Sequence, residues 1–205
     1  FDANDNMFIA DYTGHNILKI RKGADSVEVY AHHPELNQPN DIAISQKGIL
    51  YASDPNWAEN TGNLWKIDNA GFHLIESGMG TTNGIEVSPN GKILYVNESV
   101  QRKVWKYEID QQGDLKNKQL FFQFQDHGLD GMRCDSEGNL YVCRYGASKI
   151  VVLSPEAKII REVQLKGKNP SNITFATKQS KTCYVTLADR GCFETFTATH
   201  PGKGF

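Results

Sequence analysis

The sequence lacks most of the features that mark the commonest classes of binding protein. It has no basic or acidic block and a formal net charge of -2, so nothing in it favours nucleic acid or an anionic membrane surface as a partner. No apolar run approaches the length that spans a bilayer. Patterns of long amphipathic helices are also missing, which argues against a βαβ sheet and against a helical solenoid. With 39% apolar and 22% charged residues, the chain has the composition of a soluble globular protein.

Several familiar catalytic and cofactor motifs are missing as well. The sequence contains no GxSxG nucleophile motif, no P-loop and no GxGxxG fingerprint, so hydrolysis through a covalent serine intermediate has no support. Its cysteines form no CxxC pair and no zinc-type Cys/His spacing. Because they are not directly opposed in the predicted hairpins, we expect four reduced and mostly buried thiols. These are Cys134, Cys143, Cys183 and Cys192.

What the sequence does contain is one hairpin pattern that occurs five times. NDIAISQKGILYASD, NGIEVSPNGKILYVNE and DGMRCDSEGNLYVCR each have a short apolar run, a turn and a second apolar run with an aromatic residue. Successive aromatics are separated by 43, 44, 46 and 43 residues. Such regularity indicates an internal structural repeat. The aligned aromatics are Phe8, Tyr51, Tyr95, Tyr141 and Tyr184.

Each repeat continues with further strand patterns rich in Val, Ile, Tyr and Phe. Third strands are predicted at 16–20, 63–67, 103–109, 148–153 and 192–196, and fourth strands at 27–31, 72–76, 120–124 and 159–165. Four short strands in roughly 40 to 45 residues are typical of a β-propeller blade. The alternatives are a β-sandwich, which the aligned aromatics disfavour, and an open β-solenoid, whose repeats are usually shorter.

We therefore predict an all-β fold, namely a six-bladed β-propeller of four-stranded antiparallel blades. It forms a single domain over residues 1–205, with about five recognisable blades. In complete copies the strand-opening residue lies 11 to 13 positions before the aromatic, which in the first copy would fall before Phe1. The last copy ends after its third strand. We expect the N-terminal strands, the outer strand of the last blade and one whole blade to come from sequence before Phe1.

The first residue of each innermost strand is polar. Inner strands line the channel of a propeller, so we expect these residues at one channel mouth. Their oxygen atoms suit a hard divalent cation such as Ca²⁺ or Mg²⁺. The alternative is that Asn-Gly and Asp-Gly are kept as turn formers. We favour a channel site, since the pairs precede a strand and since Asn40 is followed by Asp41 instead of glycine. The series is Asn40, Asn83, Asp130 and Ser171.

At these residues the chain resembles a known family. NQPNDIAIS, GTTNGIEVSPNGKILYVNES and HGLDGMRCDSEGNLYVCRYG are similar to the senescence marker protein-30, gluconolactonase and luciferin-regenerating enzyme family, closest to its bacterial gluconolactonases. The resemblance implies a six-bladed propeller with one divalent cation, most often calcium and in some members zinc, magnesium or manganese. It implies Asn83 and Asp130 as metal ligands and Asn40 as a ligand or substrate contact. Leu129 stands where the family has proline, and the family's first-blade glutamate ligand has no counterpart.

The resemblance further implies hydrolysis of a small-molecule sugar lactone. Asp130 is implied as the general base, and the sequence does not separate that role from metal ligation. Each residue that is a candidate for contacting the substrate could instead have a purely structural role. That role would be that of a turn residue, a loop residue or an aromatic that covers a blade end. The candidates are Asn40, Asp41, His127, Trp57 and Arg144.

Two other functions stay open at this stage. One is hydrolysis of organophosphate esters on the same calcium site, and the other is a non-catalytic propeller that binds ligands or proteins. The channel residues favour the enzymes, but a fold alone does not fix a function. The particular lactone, the metal, the compartment and the oligomeric state are not predicted.

Overall fold

The protein is described by a computed structural model that covers residues 1–177 and 179–203. In that part of the chain eighteen strands form five antiparallel sheets, each with its strands in chain order. The same part contains no helix that is long and apolar enough to cross a membrane. The fold is therefore the all-β propeller that the repeat predicts, with five blades.

Every blade is an up-and-down meander. The first contains β1 (Met7–Asp11), β2 (Asn16–Ile20) and β3 (Glu28–His32). The second contains β4 (Asp41–Ile44), β5 (Leu50–Asn56), β6 (Thr61–Asp68) and β7 (Gly71–Met79). The third contains β8 (Thr82–Val87), β9 (Ile93–Glu98), β10 (Lys103–Ile109) and β11 (Leu115–Gln123). The fourth contains β12 (Met132–Cys134), β13 (Leu140–Arg144), β14 (Lys149–Leu153) and β15 (Ile159–Gln164). The fifth contains β16 (Pro170–Phe175), β17 (Thr182–Leu187) and β18 (Cys192–Thr197).

The described chain forms the five recognisable blades that the repeats predict, and the sixth blade of the predicted propeller is not among them. The first and last blades have three strands each, and they stay separate sheets rather than sharing strands to close a ring. The predicted third and fourth strands are present. Strand β11 begins at Leu115, earlier than predicted, because most of its length is exposed at the blade edge and needs no apolar pattern.

The core lies between neighbouring blades, and the aligned aromatics build it. Tyr51 packs with Ile85 and Leu94 of the third blade, and Tyr95 packs with Met132 of the fourth. Each aromatic thus faces the blade that follows in the chain. Tyr184 of the fifth blade is 38% exposed and contacts Phe193 of its own blade, because no described blade follows.

All four cysteines are free, as predicted from their offsets in the hairpins. Three are buried between the blades, where burial raises the pKa of the Cys134 and Cys143 thiols. Cys192 is the exception to the expected burial, because it opens β18 at the exposed edge of the last blade.

Candidate functional site

The site is built around an irregularity in the third blade. Thr82 pairs with Glu98 and Ile85 pairs with Val96, so Asn83 and Gly84 together oppose the single residue Asn97. Two residues facing one form a β-bulge, which redirects a side chain at a sheet margin. The odd Asn-Gly at the start of this strand is therefore the bulge itself, and it leaves Asn83 only 3% exposed.

Close approach between blades explains the glycine that follows Asn83. A Cβ atom at Gly84 would lie 2.4 Å from the carbonyl oxygen of Asp130 and 2.7 Å from Nδ2 of Asn97. A Cβ at Gly131 would lie 2.3 Å from Oδ1 of Asn172 in the fifth blade. Both glycines have ordinary φ angles, so they serve the close packing of neighbouring inner strands and not a tight turn.

The bulge brings Asn83 against Asp130 of the next blade. Burial raises the pKa of the Asp130 carboxyl to about 7, and the negative charge of Asp41 adds to the shift. Hydrogen bonds from the Gly131 backbone and the Asn83 side chain oppose it. A partly buried carboxyl with an elevated pKa beside another acid is an arrangement common at functional sites.

Asp41 joins the same group from the second blade. Its Oδ2 accepts a hydrogen bond from the backbone N–H of Ile85 at 3.2 Å, next to the bulge, and its Oδ1 accepts one from Ile42 at 2.8 Å. Burial raises the pKa of Asp41 to about 6, against the opposing charge of Arg133. The structure thus brings together Asn83, Asp41 and Asp130, three of the residues singled out in the sequence.

The two raised pKa values give a stability prediction for the metal-free protein. The ordinary value for both carboxyls is 3.8, so Asp41 and Asp130 hold protons in the folded state at pH values where the unfolded chain has released them. Their contribution to stability is fully present below about pH 4 and is lost as the pH rises to about 7. We expect the urea midpoint in the presence of a chelator to fall between pH 5 and pH 8. The double variant Asp41→Asn/Asp130→Asn should flatten that decline; an equal decline in the double variant would contradict the assignment.

Two amide oxygens at the bulge lack any hydrogen-bond partner among the described residues. They are Oδ1 of Asn83 and Oδ1 of Asn97, and both are buried. A buried carbonyl without a partner costs about 1–3 kcal/mol, so such atoms mark a place where a further partner belongs. No three His, Cys, Asp or Glu side chains form a metal-type cluster in residues 1–177 and 179–203. Amide and carboxylate oxygens fit a hard divalent cation.

Asn40 lies on the wall of an adjoining cavity. Its backbone N–H donates to the Ser53 carbonyl at 2.9 Å at the start of the second blade's inner strand. With Asp41 it lines a cavity of about 1030 Å³ that extends between the first and last blades. Ser171, at the same position in the last blade, bonds Thr186 of its own blade at 2.9 Å.

A buried ion cluster in the cavity wall was missed by the sequence reasoning. Glu86 is fully buried and pairs with Arg133 at 3.2 Å and with Lys203 at 2.9 Å. Glu86 and Arg133 each lie three residues after a candidate ligand, Asn83 or Asp130, on adjacent inner strands. The opposite charges of Glu86 and Arg133, at equivalent positions of successive repeats, are the sequence feature that could have predicted this cluster. Lys203 lies outside the repeats, so its place in this cluster follows only from the tertiary structure.

Arg144 holds the loop that leads into the inner strand of the fourth blade. It is 4% exposed, donates to the Asp126 carboxylate at 2.8 Å and to the Asp126 backbone oxygen, and lies 3.8 Å over the Phe124 ring. Asp54 at the equivalent position accepts from the N–H groups of Asn37 and Gln38 in the preceding loop. Residues at this position therefore hold the loops above the channel mouth.

The other two sequence candidates lie on loops. His127 is exposed, has φ 48°, and lies 4.0 Å from Asp126. Trp57 is half-buried, and its backbone N–H donates to Gln38 at 3.2 Å. In the described part of the chain no hydrogen bond or ion pair connects either side chain, or that of Arg144, to Asn83 or Asp130.

The fold and this oxygen-donor cluster together define an all-β propeller with a polar site between its inner strands. The chain belongs to the family described as the SMP-30/gluconolactonase/LRE-like region, whose model matches residues 1–189. It is 28% identical to a gluconolactonase of Zymomonas mobilis over 84% of this chain and 55% of the relative. It is 26% identical to the diisopropyl-fluorophosphatase of Loligo vulgaris over 80% of this chain and 58% of the relative.

Solved structures agree on the fold. The calcium-binding protein regucalcin from Agrobacterium tumefaciens superimposes with a TM-score of 0.84 at 17% identity, covering all of this chain and 75% of that structure. At this identity the likeness shows the fold alone. The chain spans 55 to 65% of the length of the curated relatives it first matches.

Proposed function

We propose that the protein is a metal-dependent hydrolase that opens a sugar lactone. The observation that carries the proposal is the unpaired Oδ1 of Asn83, buried beside the Asp130 carboxyl at the blade junction. Membership of the family and similarity to a gluconolactonase support the reaction class. The proposed cofactor is one divalent cation, with Ca²⁺ first and Zn²⁺, Mg²⁺ or Mn²⁺ as the alternatives.

The residues that would hold the cation are Asn83, Asp130 and Asn40. Oδ1 of Asn83 accepts nothing from the described protein, and Asp130 offers a carboxylate that burial and the charge of Asp41 otherwise disfavour. When bound, a divalent cation polarises a carbonyl oxygen and makes a bound water more acidic. Donors and ion therefore suit each other in charge and in hardness.

Asp130 is the proposed base. Its carboxyl lies beside the Asn83 amide at the blade junction, where a carboxylate can accept a proton from a neighbouring water. The Asn83 side chain lies next to the carboxylate and favours its ionised form, and the backbone N–H of Gly131 donates to the Ser171 carbonyl of the next blade at 2.9 Å. Asp41 of the neighbouring second blade accepts a hydrogen bond from the backbone N–H of Ile85 and so holds the strand next to the bulge.

The proposed substrate pocket lies beside Asn40 and Asp41, at the start of the second blade's inner strand. His127, Trp57 and Arg144 are proposed to act from the loops above it. For Arg144 the contact is indirect, because its guanidinium is engaged by Asp126 and Phe124 and so fixes the loop that carries His127.

We also propose that the complete propeller has six blades. The three-stranded first and last blades, the exposed Tyr184 and the cavity between those blades all leave room for one more sheet.

A hydrolysis assay tests the proposed reaction. Opening of aldonolactones is followed by pH indicator with Ca²⁺, Zn²⁺, Mg²⁺ or Mn²⁺ added in turn and with chelator as the control. We expect hydrolysis that the chelator abolishes and one cation restores. Hydrolysis that withstands the chelator would contradict the metal-dependent mechanism.

The similarity to a diisopropyl-fluorophosphatase favours organophosphate esters as a second candidate substrate class. The same assay with a fluorophosphate ester decides between them, because the cation site would be common to both. Binding of a cation without turnover of either substrate would favour the non-catalytic propeller that binds ligands or proteins.

A further inference from the structure

Asn97 lies at the centre of the site, and the proposed reaction assigns it no role. It is the single residue of β9 that faces the bulge formed by Asn83 and Gly84. Its side chain is fully buried, and its Nδ2 donates a hydrogen bond of 2.6 Å to the backbone carbonyl of Asp130. One amide thus connects the bulge of the third blade to the candidate base in the fourth.

Equivalent residues of the other blades behave differently. Ser53 accepts from the backbone N–H of Asp41 at 3.1 Å, and Thr186 donates to the Asn172 carbonyl at 3.4 Å, so both bond the inner strand of their own blade. Cys143 occupies this position in the fourth blade. Among the described residues, Asn97 is the member of the series whose side chain reaches the next blade.

The orientation of the Asn97 amide follows from its surroundings. The atom 2.6 Å from a carbonyl oxygen has to be the N–H side, since two acceptors at that distance would repel. This leaves Oδ1 buried and without a partner in the described chain. The unpaired oxygen points to a polar ligand at the junction, because a purely structural amide would have both ends satisfied.

We propose that Asn97 is a positioning residue, which sets the distance between Asp130 and Asn83 and thereby the affinity of the site for its cation. The inference rests on the proposed function. The absence of a side chain at Gly84 permits this contact, because any side chain there would separate Asn97 from the Asp130 carbonyl. Groups that orient ligands in this way typically contribute a factor of about 10 to 100 to metal affinity.

Calorimetric titration of the protein with Ca²⁺, and with Mn²⁺ as a second probe, tests this proposal. Asn97→Leu keeps the shape of the side chain and removes both amide atoms. Thr186→Val is the matched control at the same repeat position. We expect Asn97→Leu to raise the Kd about 10- to 100-fold while Thr186→Val leaves it unchanged. The unfolding midpoint of metal-free Asn97→Leu should fall only modestly, because the Asp130 carbonyl loses its hydrogen bond while one unpaired buried oxygen is removed.

The outcomes separate the two proposals. An unsubstituted protein that binds neither cation overturns the proposed function and this inference with it. A protein that binds, but whose Asn97→Leu variant binds equally well, overturns the inference alone, as does a variant that loses stability without losing affinity. Should Asn97→Leu not fold, Asn97→Ser takes its place under the same criteria.

Discussion

Replacing Asp130 with asparagine is expected to remove the proposed lactone hydrolysis while leaving the metal-free fold at least as stable as before. A positioned general base contributes about 10²–10⁴-fold to rate, so kcat/KM should fall by at least that range. Burial and the charge of Asp41 disfavour the ionised Asp130, and a neutral amide removes that penalty. The stability gain should be visible in urea denaturation at pH 8 with chelator, where the wild-type carboxyl is charged.

The control for this change is Asp110→Asn. Asp110 is a turn residue that accepts from the N–H groups of Gln112 and Asp114, a role that asparagine can keep. We expect hydrolysis by this variant to equal that of the unsubstituted protein. Retained activity in Asp130→Asn, or a fold that it destabilises at pH 8, would show that Asp130 is a structural carboxylate.

Replacing Gly84 with alanine should cause the second large loss, this time in both stability and affinity. The new methyl group would lie 2.4 Å from the Asp130 carbonyl oxygen, an overlap with backbone that no rotamer relieves. Overpacking of this kind costs about 1–3 kcal/mol, and here it also separates the blades that form the site. Urea denaturation measures the first effect, and titration with Ca²⁺ measures the second.

Gly128→Ala is the matched control for that substitution. Gly128 lies in the loop before Asp130, has an ordinary φ, and would place its Cβ no closer than 3.5 Å to any neighbour. We expect it to leave stability nearly unchanged. If Gly84→Ala proves as stable as Gly128→Ala, the close approach of the inner strands is not the reason for the glycine.

The repeat predicted most of the fold because each blade repeats the same burial pattern. Tyr51, Tyr95 and Tyr141 are buried between blades, as regular spacing of a core residue requires. The exposed edge strand β11 was predicted too short, since its LKNKQ segment pairs through the backbone and buries little side chain. Five recognisable blades were predicted and five are described, because each repeat carries a complete hairpin.

The site was only partly predictable. Position in the repeat correctly grouped Asn83 and Asp130, but it could not show that the Asn-Gly pair is a bulge. A bulge is a difference in register between two strands, and Asn97 becomes relevant only once that register is known. Lys203 reaches Glu86 from 117 residues away along the chain, a contact that only the tertiary structure creates.

The central claim is that Asn83 and Asp130 hold a divalent cation between the blades. A crystal structure of the protein grown with Ca²⁺, with Mn²⁺ replacing it for anomalous scattering, tests this most directly. We expect one anomalous peak, with Oδ1 of Asn83 and a carboxylate oxygen of Asp130 at roughly 2.3–2.6 Å from the Ca²⁺. No peak at this junction, with Asn83 Oδ1 instead bonded to a protein donor, would contradict it.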